Sequence, residues 1–259
     1  MWFPIKSYFQ FLWHSKNEHA VHSPFVFNLI AKCFYDKQYK PEYELLEKYR
    51  NSLLASKEVI KVTDFGAGSK VFKTNQRAVC KIAQKAGISK KRAELLFRIT
   101  KYFQSEHILE IGTSLGLATS ALSAGNKVAK ITSLEGCENT SAVAEKNLKH
   151  FELNNIENIV TEFSAYLKNS KSEATIYDLI YFDGNHQKQA TLDYLEFLLP
   201  TITNETVWIF DDIHWSTEMT QAWELIKKHP KVTVTIDTFQ WGFVFFRREQ
   251  PKEHFIIRI

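Results

Sequence analysis

Two groups of residues in this sequence have the types and spacing that chemistry needs. The first is Leu109-Glu-Ile-Gly-Thr-Ser-Leu-Gly116, an apolar run that ends in an acid and is punctuated by two glycines. Glycine at 112 and 116 lets the chain turn sharply and lets a ligand approach the backbone where a Cβ would block it. A helix starting just after this turn leaves N–H groups that bind a carboxylate or phosphate. A second apolar run ends at Leu134-Glu135-Gly136, so an acid emerges about 23 residues after Gly112. A carboxylate at that spacing can accept hydrogen bonds from both ribose hydroxyls of a nucleoside.

The second group is Asp183, His186, Asp211, Asp212 and His214. Three carboxylates in one cleft repel one another unless a cation or a cationic ligand is present. Their hard oxygens favour Mg²⁺, Ca²⁺ or Mn²⁺, so Asp183, Asp211 and Asp212 are expected metal ligands. The competing reading has Asp211 and Asp212 capping the next helix together with Ser216 and Thr217. Histidine titrates near neutrality, which makes His186 either a general base or a loop histidine bonded to a backbone carbonyl. His214 poses the same question.

These residues need elements to position them. From His107 onwards, short apolar runs alternate with helical patterns. Strands are expected at Ile108–Ile111, Ala129–Leu134, Ile159–Glu162, Asp178–Phe182 and Val207–Phe210. Helices are expected at Leu117–Ala124, Thr140–Phe151, Gln187–Leu199 and Met219–Lys228, with a shorter one over Ser164–Lys168. That rhythm implies a parallel sheet covered on both faces. At the end of the chain, Val232–Asp237 and Gly242–Arg247 are separated by too few residues for a crossover, so they must be antiparallel neighbours. Parallel strands bring their C-terminal ends to one edge, where residues 183 and 211–212 should converge.

The first 56 residues read as helical, in runs over Phe3–Trp13, Phe25–Phe34 and Tyr43–Leu54. Ser23-Pro24 opens the second of these and Pro41 the third. The aromatic stripes are expected to pack on the core, with a membrane-surface or partner role as the alternative. Val59–Asp64 reads as a strand, Arg77–Lys85 and Lys90–Tyr102 as helices. The loop Asp64-Phe-Gly-Ala-Gly-Ser69 competes as a glycine motif, but no acid-ending strand follows at the needed distance. It reads instead as a surface turn or a lid, with Lys73 and Arg77 available to an anionic substrate. His19, His22 and Ser23 are given core or capping roles.

A dinucleotide fingerprint wants glycine at three positions, and here Ser114 and Leu117 interrupt it. Glu110-Ile-Gly-Thr-Ser-Leu-Gly116 instead resembles motif I of the class I S-adenosylmethionine-dependent methyltransferases, in the form found in the O-methyltransferase branch. Ala93-Glu-Leu-Leu-Phe97 resembles the segment before that motif. Asp183-Gly-Asn-His186 is similar to the turn after the fourth strand, and Phe210-Asp-Asp-Ile-His214 to the acidic end of the fifth. The resemblance covers about residues 90–250. It implies a Rossmann-like, doubly wound α/β fold with a mostly parallel seven-stranded sheet ending in an antiparallel hairpin.

The same resemblance implies that Glu110, Gly112, Thr113, Ser114 and Gly116 border the amino-acid end of S-adenosylmethionine. It places Glu135 and Gly136 at the ribose and Ser164 and Ala165 near the adenine. Asp183 falls at the methionine amino group or a metal ion. The expected activity is transfer of a methyl group to a hydroxyl of a small molecule. Asp183 and Asp211 would position the acceptor, with Mg²⁺ or another divalent cation as a candidate helper, and His186 would take its proton. Asp212 departs from the asparagine common at that position. The rival readings are a non-catalytic interaction module on the same fold and, less favoured, an NAD-linked oxidoreductase.

Composition fits this picture. A net charge of +4 over 259 residues, with the lysines spread along the chain, gives no footprint for nucleic acid. The three cysteines are widely separated and match neither a disulfide framework nor a zinc site. No stretch approaches the roughly 20 apolar residues of a membrane span. A cytoplasmic protein is expected, with residues 1–88 a helical extension and active-site lid and 89–259 the catalytic domain. Its oligomeric state is left open, a homodimer included.

Overall fold

Which segments become strands and which become helices follows closely from where apolar side chains can be buried. The computed structural model describes residues 2–63, 74–170 and 175–259. The expected glycine loop at 64–69, and Lys73, lie outside the described residues. In chain order the elements are α1 (Trp2–His14), α2 (Pro24–Leu29), α3 (Glu42–Ala55), β1 (Val59–Lys61), β2 (Gln76–Ala78), α4 (Val79–Lys85) and α5 (Lys90–Phe103). Then come β3 (His107–Ile111), α6 (Leu117–Gly125), β4 (Lys130–Glu135), α7 (Glu138–His150), β5 (Ile156–Val160) and α8 (Phe163–Ser170). The chain ends with β6 (Leu179–Phe182), α9 (Lys188–Leu198), β7 (Val207–Asp211), α10 (Thr217–Lys228), β8 (Val234–Asp237), β9 (Trp241–Phe245) and β10 (Glu253–Ile256).

Two compact units result, Lys37–Tyr166 and a second made of residues 1–36 with Leu167–Ile259. The Lys37–Tyr166 unit is built on three parallel strands in the order β3-β4-β5. The crossovers are α6 and α7, as parallel neighbours require. Ile108, Leu109, Ile111, Ile131 and Leu134 are all buried, the pattern of strands covered on both faces. Helices α3, α5 and α6 pack on one another. Ser89 caps α5 by accepting a hydrogen bond from the Arg92 amide, which stops the helix from starting earlier.

The other unit carries five strands in the order β10-β8-β9-β7-β6. β6 and β7 are parallel, while β9 is antiparallel to both β7 and β8. β6, β7 and β8 therefore run the same way and end on one edge. All thirteen residues of these three strands are buried. Both strand sets are of the Rossmann-like, mostly parallel α/β kind, and the second carries the expected terminal hairpin, β8 and β9.

The structure departs from expectation at four places. Beyond the hairpin the chain adds β10, parallel to β8, so the described residues of the α/β part hold eight strands rather than seven. Arg77 does not start a helix: it lies in β2, opposite Ile60, because β1 needs a partner for its ladder. The third parallel strand begins at Ile156 and stops at Val160, two residues short of Glu162. Glu162 is taken by α8, whose Ser164 and Ala165 amides its carboxylate accepts at 3.0 and 2.8 Å. The first 56 residues are not helical throughout. Between α1 and α2, Lys16 leaves the helix to bridge to Ile257 beside β10.

Candidate active site

The turn after β3 is built on left-handed backbone. Gly112 has φ 106°, Ser114 49° and Gly116 78°, values open to glycine and strained for serine. The Gly112 and Thr113 amides both donate to the Leu134 carbonyl, at 2.9 and 3.0 Å, which ties the turn to the end of β4. Gly116 opens α6. A Cβ there would come within 2.4 Å of the Tyr49 hydroxyl, and that hydroxyl donates to the Leu115 carbonyl, 66 residues on, at 2.9 Å. The close approach that demands glycine at 116 therefore comes from a tyrosine of α3, a distant contact that the motif alone does not reveal.

Glu135 closes the cluster. Its Oε2 accepts from the Ser114 amide at 2.8 Å and its Oε1 from the Cys137 amide at 2.9 Å. The carboxylate is thus fixed between the glycine turn and the start of α7, with Gly136 at the bend between them. Thr113 turns its side chain inward, where its hydroxyl meets that of Ser133 at 2.5 Å and the Asn158 side-chain carbonyl at 3.3 Å.

Glu110 is fully buried. Its Oε2 accepts from the Thr119 and Ser133 hydroxyls at 2.6 and 2.5 Å, and its Oε1 has no hydrogen-bond partner. Burial pushes its pKa up to about 8, with the Glu135 charge adding to the rise and the two hydroxyls opposing it. The side chain is therefore a neutral acid at pH 7.

In the other unit, the ends of β6, β7 and β8 place Asp183, Asp211 and Asp237 along one edge. Tyr181, buried in β6, donates its hydroxyl to Asp211 Oδ2 at 2.9 Å and lies 3.5 Å from Asp183 Oδ2. Asp183 and Asp211 are thus brought together, as expected, through a tyrosine that no sequence pattern singled out. Asp211 Oδ1 accepts from the Asp212 amide at 2.7 Å, and Asp212 sits at φ 55°. Among the described residues no group of three or more His, Cys, Asp or Glu side chains is disposed to hold a metal ion. The expected trio of Asp183, Asp211 and Asp212 is not gathered into such a group.

One part of the capping alternative is met. Ser216 caps α10, accepting from the Met219 amide at 3.1 Å. His186 Nε2 lies 3.6 Å from Asp183 Oδ1, so this loop histidine faces a carboxylate. The turn that carries it has Asn185 at φ 50°, with its side-chain Nδ2 donating to the Tyr194 hydroxyl at 3.2 Å.

His214 is paired more tightly: its Nε2 lies 2.8 Å from Asp237 Oδ2, and its ring stacks on Phe239 at 5.3 Å. Phe239 has φ 74°, and its amide donates to Asp237 Oδ1 at 2.8 Å. Asp237 was missed from sequence, although it repeats a legible pattern in which a buried strand ends in an acid.

With the geometry in place, the chain can be set beside known proteins. Residues 109–213 match a family described as a methyltransferase domain. Comparison with curated proteins finds no match. Among solved structures, the chain is similar to an O-methyltransferase from Bacillus cereus in complex with SAH, at 19% identity and TM-score 0.54, over 84% of this chain and 94% of that one. It is similar to an SAH-bound methyltransferase from Podospora anserina at 13% identity and TM-score 0.59, over 88% and 97%. A third is the O-methyltransferase of tomaymycin synthesis from Streptomyces achromogenes, in complex with SAM, at 13% identity and TM-score 0.57, over 84% and 95%. At these identities the likeness establishes the fold. Among the described residues, no helix is long and apolar enough to cross a membrane.

Proposed function

Because residues 109–213 match the methyltransferase-domain family and the fold is like that of solved methyltransferases, we propose that this protein transfers a methyl group from S-adenosylmethionine to a hydroxyl oxygen of a small molecule. The observation that carries the reading is Glu135, held by the amides of Ser114 and Cys137 beside the left-handed turn. Those two bonds orient the carboxylate, which offers about four acceptor positions in all. A ribose diol is the ligand such an oriented acid suits. The residues also fit the amino-acid end of this cofactor, since the buried Oε1 of Glu110, two residues before the left-handed turn that starts at Gly112, lacks a partner. Three of the similar structures hold SAH or SAM, which supports the same choice.

S-adenosylmethionine, when bound, supplies a methyl group on a positively charged sulfur. What remains for the chain is to align the acceptor and to remove its proton. His186 takes the proton: its ring accepts it from the hydroxyl, and Asp183 at 3.6 Å stabilises the imidazolium that results. Asp211, oriented by Tyr181, helps to hold the acceptor. Ser164 and Ala165, at the first turn of α8, sit where the adenine would lie.

The acceptor is a small molecule rather than nucleic acid, in keeping with the dispersed lysines. The same reading assigns the protein to the cytoplasm and admits a homodimer. The test is transfer of labelled methyl from S-adenosylmethionine to a panel of phenols, alcohols and amines. Labelling of hydroxyl compounds that His186→Ala abolishes supports the proposal. Labelling of amines alone would place the protein in another branch.

A further inference from the structure

Helix α1 buries one side and leaves an apolar side open. Ser7 and Phe11 face inward, and Tyr8 and Phe11 pack against Phe239 with ring centroids 4.9 and 5.5 Å apart. Residues 5, 9 and 13 recur every fourth position and so share one face. There Ile5 is 53% exposed, Phe9 66% and Trp13 88%. Three large apolar side chains in line, aimed away from the unit that anchors the helix, form an apolar strip of the kind that marks an interaction surface.

Charge and size narrow the partner down. The segment Trp2–His14 contains no Asp or Glu. Lys6 lies on the helix, and Lys16 follows it, both exposed. Arg258, also exposed, is bonded to Lys16 through its backbone amide at 3.2 Å, which sets a second cation beside the end of α1. The nearest carboxylate in sequence, Glu18, lies 3.5 Å from His19. The patch is therefore apolar with a cationic rim. From Ile5 to Trp13 it runs about 12 Å along one helix, at 1.5 Å per residue. A lipid surface needs only a few inserted aromatic and aliphatic side chains together with basic neighbours.

We propose that the outward face of α1 docks this protein onto an anionic membrane surface, with Ile5, Phe9 and Trp13 in the acyl boundary and Lys6, Lys16 and Arg258 on the headgroups. Such docking is peripheral, and it stands independently of the methyl-transfer reading.

The test is co-sedimentation of the full chain with vesicles of phosphatidylcholine mixed with phosphatidylglycerol, and with vesicles of phosphatidylcholine alone. The proposal expects binding to the mixed vesicles that weakens as salt is raised. Phe9→Ser/Trp13→Ser should lower the partition coefficient at least about tenfold, and Lys6→Glu/Lys16→Glu should lower it on the anionic vesicles. Both pairs lie on the surface, so melting temperature and SAH affinity should stay at wild-type values. Equal sedimentation of wild type and Phe9→Ser/Trp13→Ser would overturn the proposal. So would a wild-type dimer in sedimentation equilibrium that this pair converts to monomer without any vesicle binding, since the patch would then serve a second copy of the chain.

Discussion

The Tyr181 hydroxyl donates to Asp211 Oδ2 at 2.9 Å while lying 3.5 Å from Asp183 Oδ2, so one hydroxyl stands between the acids at two neighbouring strand ends. Removing it should matter for both stability and chemistry. Tyr181→Phe keeps the ring in the core but leaves the buried Asp211 short of a donor. A destabilisation of about 1–3 kcal/mol is expected, together with a fall in methyl transfer of at least about tenfold. Thermal denaturation and a transfer assay on the same preparation check both. An unchanged rate would show that Tyr181 braces the core without setting the acids.

Glu110 predicts a pH dependence of stability. Its pKa is raised in the folded protein, from an ordinary value of 4.5 to about 8, chiefly by burial. The unfolded chain therefore loses this proton first as pH rises. The stability tied to the neutral acid is fully present below pH 4.5 and is lost progressively up to about pH 8. Its contribution to the slope approaches about 1.4 kcal/mol per pH unit inside that window. Glu110→Gln, neutral at every pH, should flatten the slope in urea titrations run across it.

Gly116 and Tyr49 should behave as a coupled pair. Gly116→Ala would put a Cβ 2.4 Å from the Tyr49 hydroxyl and force alanine to φ 78°. A loss of about 2–4 kcal/mol is expected from the clash and the strain together. Tyr49→Phe removes the hydroxyl and relieves the clash but leaves the backbone strain, so the double variant should recover part of that loss. A double-mutant cycle measures the coupling, and strict additivity would deny the contact.

His186 carries the proposed proton transfer. His186→Ala should lower the rate of methyl transfer by about 10²–10⁴ while leaving SAH affinity within a factor of about two. Steady-state kinetics and equilibrium binding separate the two effects. His214, stacked on Phe239 and 2.8 Å from Asp237, offers the contrast: its replacement should cost stability before it costs rate.

Much of the fold was legible because β3, β4, β6 and β7 are buried on both faces. Continuous apolar runs between amphipathic helices have few other homes. The position of Glu135 at the end of β4 was readable for a related reason, since the apolar run stops there and a glycine follows. What could not be read depends on pairing across long separations. Gly116 answers to Tyr49, on a helix no local pattern ties to it. The hydrophilic strand Gln76–Ala78 exists because β1 pairs with it, and β10 because the edge of β8 accepts it. The link through Tyr181 was hidden for the opposite reason, because a tyrosine in a buried strand looks like any other core aromatic until its hydroxyl is placed.

Calorimetric titration of the purified chain with S-adenosylhomocysteine, alongside Glu135→Ala and with NAD as the control ligand, tests the proposed cofactor site most directly. Binding in the micromolar range is predicted for the wild type, with loss of that binding in Glu135→Ala while the fold stays intact, and no heat from NAD. Absence of S-adenosylhomocysteine binding to a folded wild-type chain, or binding that Glu135→Ala leaves untouched, would contradict the assignment of Glu135 to the ribose and of the chain to methyl transfer.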